Sequence, residues 1–276
     1  HDLLKAGMRD FELGAFVRAD KVPQMADTDT LYRALESGKL KIGRARPFAL
    51  VPNIRGLQRA LALGVKNIAV FTAVTESFNQ RNLGMSVKES LKVIDEVVRE
   101  ARRNKIRVRG YVSTAFGCPF EGRVSAKKAL RVIEKLGDMD LEEVSIGDTI
   151  GVATPARVDA LVRPALGLLG AGRVAVHFHD TRGTALANAL RALEIGVRTF
   201  DASAGGLGGC PFAPGAKGNL ATEDLVYMFE DMGVRTGIDL QKLAVANLKF
   251  LKRFNHPIMS RYLNAFAASG GRSIAE

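Results

Sequence analysis

The stretch RVAVHFHDTRGTALANALRALEIG, Arg173–Gly196, decides how the chain is read. Its first seven residues, Arg173–His179, are rich in Val and Phe and end at Asp180, as a buried strand does. The pattern then changes. Ala185, Leu186, Ala189, Leu190 and Leu193 recur three and four apart, the stripe of a helix that buries one face, and Gly196 stops it. A strand followed by such a helix is half of a β/α unit, and the pairing recurs along the chain.

Working outward, strand-like segments fall at Asp10–Phe16, Pro47–Val51, Asn67–Thr72, Arg107–Ser113, Glu142–Asp148 and Arg198–Ser203. Amphipathic segments lie between them. Val87, Leu91, Ile94, Val98 and Ala101 share one face, and Ser86 with Glu89 predicts a capping box. Ser125 and Thr154 are predicted caps, with Pro155 in the first helical position. Strict alternation predicts a parallel sheet covered by helices. No linker or composition break divides residues 1–276, so one domain is expected. The strands number seven, whereas a (β/α)8 TIM barrel needs eight. His1–Met8 reads as the helix that follows a barrel's first strand. The expectation is therefore a TIM barrel whose first strand lies upstream of residue 1, on a segment of roughly 10–25 residues. A doubly wound sheet is the rival, but no G-x-G-x-x-G opens a helix here.

Forty Lys and Arg against 29 Asp and Glu leave a formal charge of +11. Nucleic acid, an anionic membrane surface and an anionic substrate compete for that charge. The cations are scattered, Tyr is scarce, Trp is absent, and no zinc-finger spacing or RNA-binding aromatic pattern is present. The densest run, Arg99–Arg109, reads as a solvated face. A polyanionic small molecule fits the charge at least as well, and no nucleic-acid or membrane partner is expected. Two cysteines exclude a disulfide scaffold and suit a reducing, cytoplasmic setting. No apolar run approaches the ~18 residues of a membrane span.

Residues i and i+2 of a strand point to one side, so His177 and His179 project together at a strand's C-terminal end, where barrels build their sites. Paired imidazoles there suit a divalent cation. Asp180 either orients a ligand or caps the next helix. Residues 204–219 hold six glycines and two prolines in sixteen positions, the composition of a functional lid loop. That loop carries Cys210, either a proton donor or nucleophile or an inert small residue. It closes on Asn219, a metal-ligating amide or a helix cap. Glu12 stands in an apolar strand, where a carboxylate needs a functional partner or an ion pair. Asp148 ends SIGD and either binds substrate or caps a turn.

VPQMADT (22–28), RGYVSTAFGCPFEG (109–122), SIGDTIG (145–151), VHFHDTRGTALAN (176–188) and AGGLGGCPFAPGAKGNLATEDLVYM (204–228) together resemble 3-hydroxy-3-methylglutaryl-CoA (HMG-CoA) lyase. The match runs in order from Phe11 to about Phe254. The H-x-H-D element is shared with a wider set of metal-dependent barrels, Claisen-type synthases among them; the Cys210 loop is much more specific to the lyase. The resemblance implies a barrel using Mg²⁺ or Mn²⁺ to split an acyl-CoA into acetyl-CoA and a ketoacid. It implies His177, His179 and Asn219 as metal ligands, Cys210 as catalytic cysteine, and Glu12 and Asp148 as active-site acids. His177 is also a candidate base, and a homodimer is expected. Three departures stand out. The Arg-Asp pair that ends the family's first strand has no counterpart, since Arg9-Asp10 directly precedes the strand of Glu12. Gly14-Ala15 stand where a hydroxyl residue is common, and Arg182 stands where Tyr is common.

Overall fold

The structure, a computed structural model, describes residues 1–20, 22–209 and 218–271. Its main sheet is parallel throughout. The strands are β1 (Asp10–Ala15), β2 (Arg46–Leu50), β3 (Asn67–Ala73), β4 (Arg107–Ser113), β7 (Glu143–Asp148), β8 (Val174–Phe178) and β9 (Thr199–Asp201). Two-residue strands β5 (Gly117–Cys118) and β6 (Gly122–Arg123) form a small hairpin after β4. The sheet order is β1-β2-β3-β4-β7-β8-β9, so neighbours in sequence are neighbours in space. Helices connect the strands on the outside, the arrangement of a TIM barrel.

Curvature shows in contacts between strands that are not neighbours. Glu12 on β1 meets Tyr111 on β4, and Arg109 on β4 meets Asp201 on β9. Such side chains touch only if the sheet curls about them. The opposite pleat packs under the helices: Val108, Val112, Val144, Ile146, Val176 and Phe178 are all buried there.

Local chemistry sets the helix starts. Ser86 and Glu89 form both halves of the capping box for the helix Val87–Arg103, which buries Ile94, Val97, Val98 and Ala101. Ser125 caps the helix Ala126–Gly137, and Asn53 caps Ile54–Ala62. Thr154 occupies the cap position without a side-chain bond; Pro155, with its fixed φ, opens that helix instead. Near the amino end only Asp2–Lys5 is helical, because Gly7 turns the chain at φ 96° into β1.

Strands β8 and β9 are shorter than the apolar runs suggest. His179 leaves the sheet to bridge Asn219, and Ser203 leaves it to bridge Ala221. The chain after β9 thus folds back over the C-terminal ends of the strands. Among the described residues, no helix is long and apolar enough to cross a membrane.

Candidate active site

The pleat of β8 brings the two histidines together. His177 and His179 have ring centroids 5.3 Å apart. Asn219 joins them, its Oδ1 3.0 Å from His177 Nε2, while its Nδ2 donates to the Leu207 carbonyl. These three sit where β8 opens onto the mouth of the barrel. Asn219 does not cap the following helix, Thr222–Asp231, whose cap position is Ala221.

Beneath the histidines lies a layer of buried charge. Asp201 is the register partner of His177, and its Oδ2 lies 3.7 Å from His177 Nδ1. Asp201 also accepts from Ser145 Oγ at 2.6 Å and from Arg109 Nη2 at 3.0 Å. Arg109 contacts Glu143 at 2.9 Å and donates to the Tyr111 hydroxyl at 3.1 Å; that hydroxyl in turn donates to Glu12 Oε1 at 2.9 Å. The layer draws on β1, β4, β7, β8 and β9 and fills the interior.

This environment moves the titrations apart. Burial pushes Asp201 up, but Arg109 and His177 outweigh it and hold the carboxylate well below its ordinary range. Burial alone would lower His177; the Asp201 and Glu12 carboxylates reverse the sign and raise it. His179 has no such partner, and burial with the neighbouring His177 charge lowers it to about 4. Glu12 keeps solvent-accessible surface yet is crowded within the concave face, and that desolvation raises it despite the Tyr111 bond.

Asp148 takes the other pleat. Gly147 is the register partner of His177, so Asp148 pairs with Phe178 on the helix-covered side. Its oxygens accept from the Val152 and Ala153 N–H groups at 2.9 Å each. Of the two uses open to it, the turn cap is the one these bonds describe. Asp180 likewise accepts from Ala185 N–H at 2.9 Å, at the start of the next helix. Cys118 is buried in the hairpin, accepting from Thr75 Oγ1 at 3.2 Å. Cys210 lies outside the described residues.

Sequence reading missed Arg109, Tyr111, Ser145 and Asp201. In RVRGYVS the polar residues alternate with Val, the period of a strand with one polar interior face. Arg109 was grouped with a solvated basic run. The structure corrects this: Arg99, Arg102, Arg103 and Arg107 are exposed and ion-paired, whereas Arg109 is 8% exposed and anchors the interior.

The donor set fits a divalent cation in part. His179 Nδ1 is buried without a hydrogen-bond partner among the described residues, and Asn219 Oδ1 is a hard oxygen donor beside it. Among those residues no group of three His, Cys, Asp or Glu side chains could hold an ion; the third donor here is an amide. Two imidazoles and an amide offer no anionic ligand, so the set carries no negative charge of its own.

The chain matches the HMGL-like family over residues 1–248. It is 40% identical over 269 residues to the hydroxymethylglutaryl-CoA lyase YngG of Bacillus subtilis, covering 98% of this chain and 89% of the relative. It is 43% identical over 263 residues to the mitochondrial hydroxymethylglutaryl-CoA lyase of Bos taurus, covering 95% and 80%. The crystal structure of the B. subtilis HMG-CoA lyase superposes with a TM-score of 0.91 at 40% identity, covering 96% of this chain and 88% of that one. An Acinetobacter baumannii HMG-CoA lyase in complex with coenzyme A and 3-methylmalate gives 0.90 at 33% identity, covering 100% and 87%. A pyruvate carboxylase transferase domain from Rhizobium etli, 16% identical with a TM-score of 0.66, shares the fold alone.

Proposed function

Because the chain belongs to the HMGL-like family, we propose that it is a divalent-metal-dependent carbon–carbon lyase. It cleaves HMG-CoA, or a related 3-hydroxy-3-methylacyl-CoA, to acetyl-CoA and acetoacetate or the corresponding ketoacid. The observation that carries this reading is the convergence of His177, His179 and Asn219 at the barrel mouth, in a chain 40% identical to a curated lyase over nearly its whole length.

His177, His179 and Asn219 would hold Mg²⁺ or Mn²⁺, which would supply Lewis acidity toward the substrate's hydroxyl. The chain's own groups do the rest. Glu12, raised above its ordinary value by burial and bonded to Tyr111, accepts the hydroxyl proton. The C2–C3 bond breaks, its electron pair passes to the thioester-stabilised C2, and C3 becomes the ketone carbon. The Cys210 thiol gives C2 its proton. Asp201 keeps the His177 ring oriented, and Asp148 acts through the mouth turn that it holds. The basic charge suits the phosphates of a CoA thioester. A homodimer and a cytoplasmic setting complete the reading.

Incubation with Mg²⁺ or Mn²⁺ and HMG-CoA tests it, with enzymatic assay of acetoacetate; acetoacetate is the expected product. Condensation of acetyl-CoA with a 2-ketoacid, and no cleavage of HMG-CoA, overturns it in favour of a Claisen-type synthase. Binding of acyl-CoA without turnover leaves only a binding barrel. Light scattering reads the dimer.

A further inference from the structure

We propose that Glu223 is a positioning residue that aims the Asn219 amide into the site by tethering the backbone turn Ala204–Leu207. The inference rests on the reading of Asn219 as a metal ligand.

Glu223 is fully buried in the first turn of the helix Thr222–Asp231. Both carboxylate oxygens lie 3.0 Å from the Gly205 N–H, and Asn247 Nδ2 donates to one of them. A buried carboxylate is costly unless its bonds are good. Here they converge on one backbone amide at the start of the turn. Gly205 and Gly206 hold φ of 67° and 69°, a left-handed pair that glycine adopts without strain. The turn closes through Gly206 N–H to Ser203 O at 3.0 Å, and it presents the Leu207 carbonyl.

That carbonyl decides which way Asn219 faces. It accepts from Asn219 Nδ2 at 2.8 Å, so the oxygen end of the amide points at His177 Nε2. The approach is close: a Cβ on Gly208 would stand 3.0 Å from Asn219 Nδ2, and one on Gly218 would stand 3.1 Å from the Gly206 oxygen. The route from Glu223 to the site therefore runs by hydrogen bond to Gly205, along the backbone through Gly206 to Leu207, and by hydrogen bond to Asn219. Glu223 touches neither histidine in that route. Burial raises its carboxyl to about 7, in keeping with a group enclosed under the turn.

The test uses E223Q, whose amide cannot offer two acceptors to Gly205, and N247A, which disturbs the same buried pocket but spares the tether. Mn²⁺ affinity is measured by calorimetry. The Asn219 side-chain amide is followed without metal by NMR on ¹⁵N-Asn-labelled protein. Supporting second-sphere groups are typically worth about 10–100-fold in metal affinity. E223Q is expected to lose affinity in that range and to move the Asn219 amide signals, while N247A changes affinity less than about threefold. Equal losses in both variants, or an unmoved Asn219 signal in E223Q, overturn the proposal. Should E223Q fail to fold, E223D withdraws the carboxylate by one methylene and carries the same comparison. Wild-type protein that binds no Mn²⁺ removes the metal reading, while the metal-free NMR comparison still reads the tether.

Discussion

Asn219 Oδ1 faces His177 Nε2 at 3.0 Å because the other end of the amide is already taken by the Leu207 carbonyl. With the amide orientation fixed, Nε2 is the donor of that bond. The ring lies between an amide oxygen and the Asp201 carboxylate, an arrangement that favours its protonated form. A cation that takes the Nε2 lone pair must displace that proton.

Mn²⁺ binding is therefore expected to release protons, and affinity is expected to rise with pH. His177 sits above its ordinary value of 6.5, so proton competition reaches into the neutral range. Calorimetry in buffers of different ionisation enthalpy, from about pH 6 to 8, reads both effects. Affinity that is flat with pH and free of proton release sinks this account.

Glu12 and Cys210 divide the proton transfers, and their variants separate the two roles from metal binding. E12Q and C210A are each expected to lower kcat by about 10²–10⁴-fold with Mn²⁺ affinity kept within a few-fold. Y111F removes the donor to Glu12 and is expected to shift the acid limb of the kcat profile more than its height. Steady-state kinetics across pH, alongside calorimetry, distinguishes these outcomes.

Arg109 holds Asp201 and Glu143 inside the barrel, and its side chain is 10% exposed against 16% and 17% for theirs. Removing one partner of a buried pair leaves a charge uncompensated, at a cost of about 3–5 kcal/mol. R109M is expected to lose stability in that range by urea unfolding at pH 7. The double variant R109M/D201N is expected to lose less. Equal losses in the two proteins count against the ion-pair account.

Glu223 carries a pH signature of its own. Its folded value of about 7 lies above the ordinary 4.5, so the native state holds the proton longer than the unfolded chain. That contribution is fully present below about pH 4.5 and is lost as pH rises toward 7, by about 3 kcal/mol in all. The difference in urea stability between wild type and E223Q is expected to follow this course. Parallel stability curves rule it out.

Much of this fold was legible because strand and helix periods alternate without interruption. The expected strands agree with the observed ones within two residues at each end. The exceptions have a tertiary cause: His179 and Ser203 look like strand residues but leave the sheet to pair with Asn219 and Ala221. The juxtaposition of His177 and His179 followed from the period of two. The charged interior did not. Arg109 and Asp201 stand 92 residues apart, and no local pattern says that β4 faces β9 across a curled sheet. Asp148 shows the complementary limit. Its strand-end position was clear, but the pleat on which it leaves the strand depends on register with β8.

The guanidinium of Arg109 has a consequence for assembly of the chain. Its acidic companions come from the strand next to β4 and from β9, the edge strand three places along the sheet. Until that last edge docks, a cation destined for the interior must stay hydrated, and the nascent sheet cannot close around it. Contacts of such long sequence separation form slowly. The charged layer beneath the histidines is thereby complete only once β9 is in place.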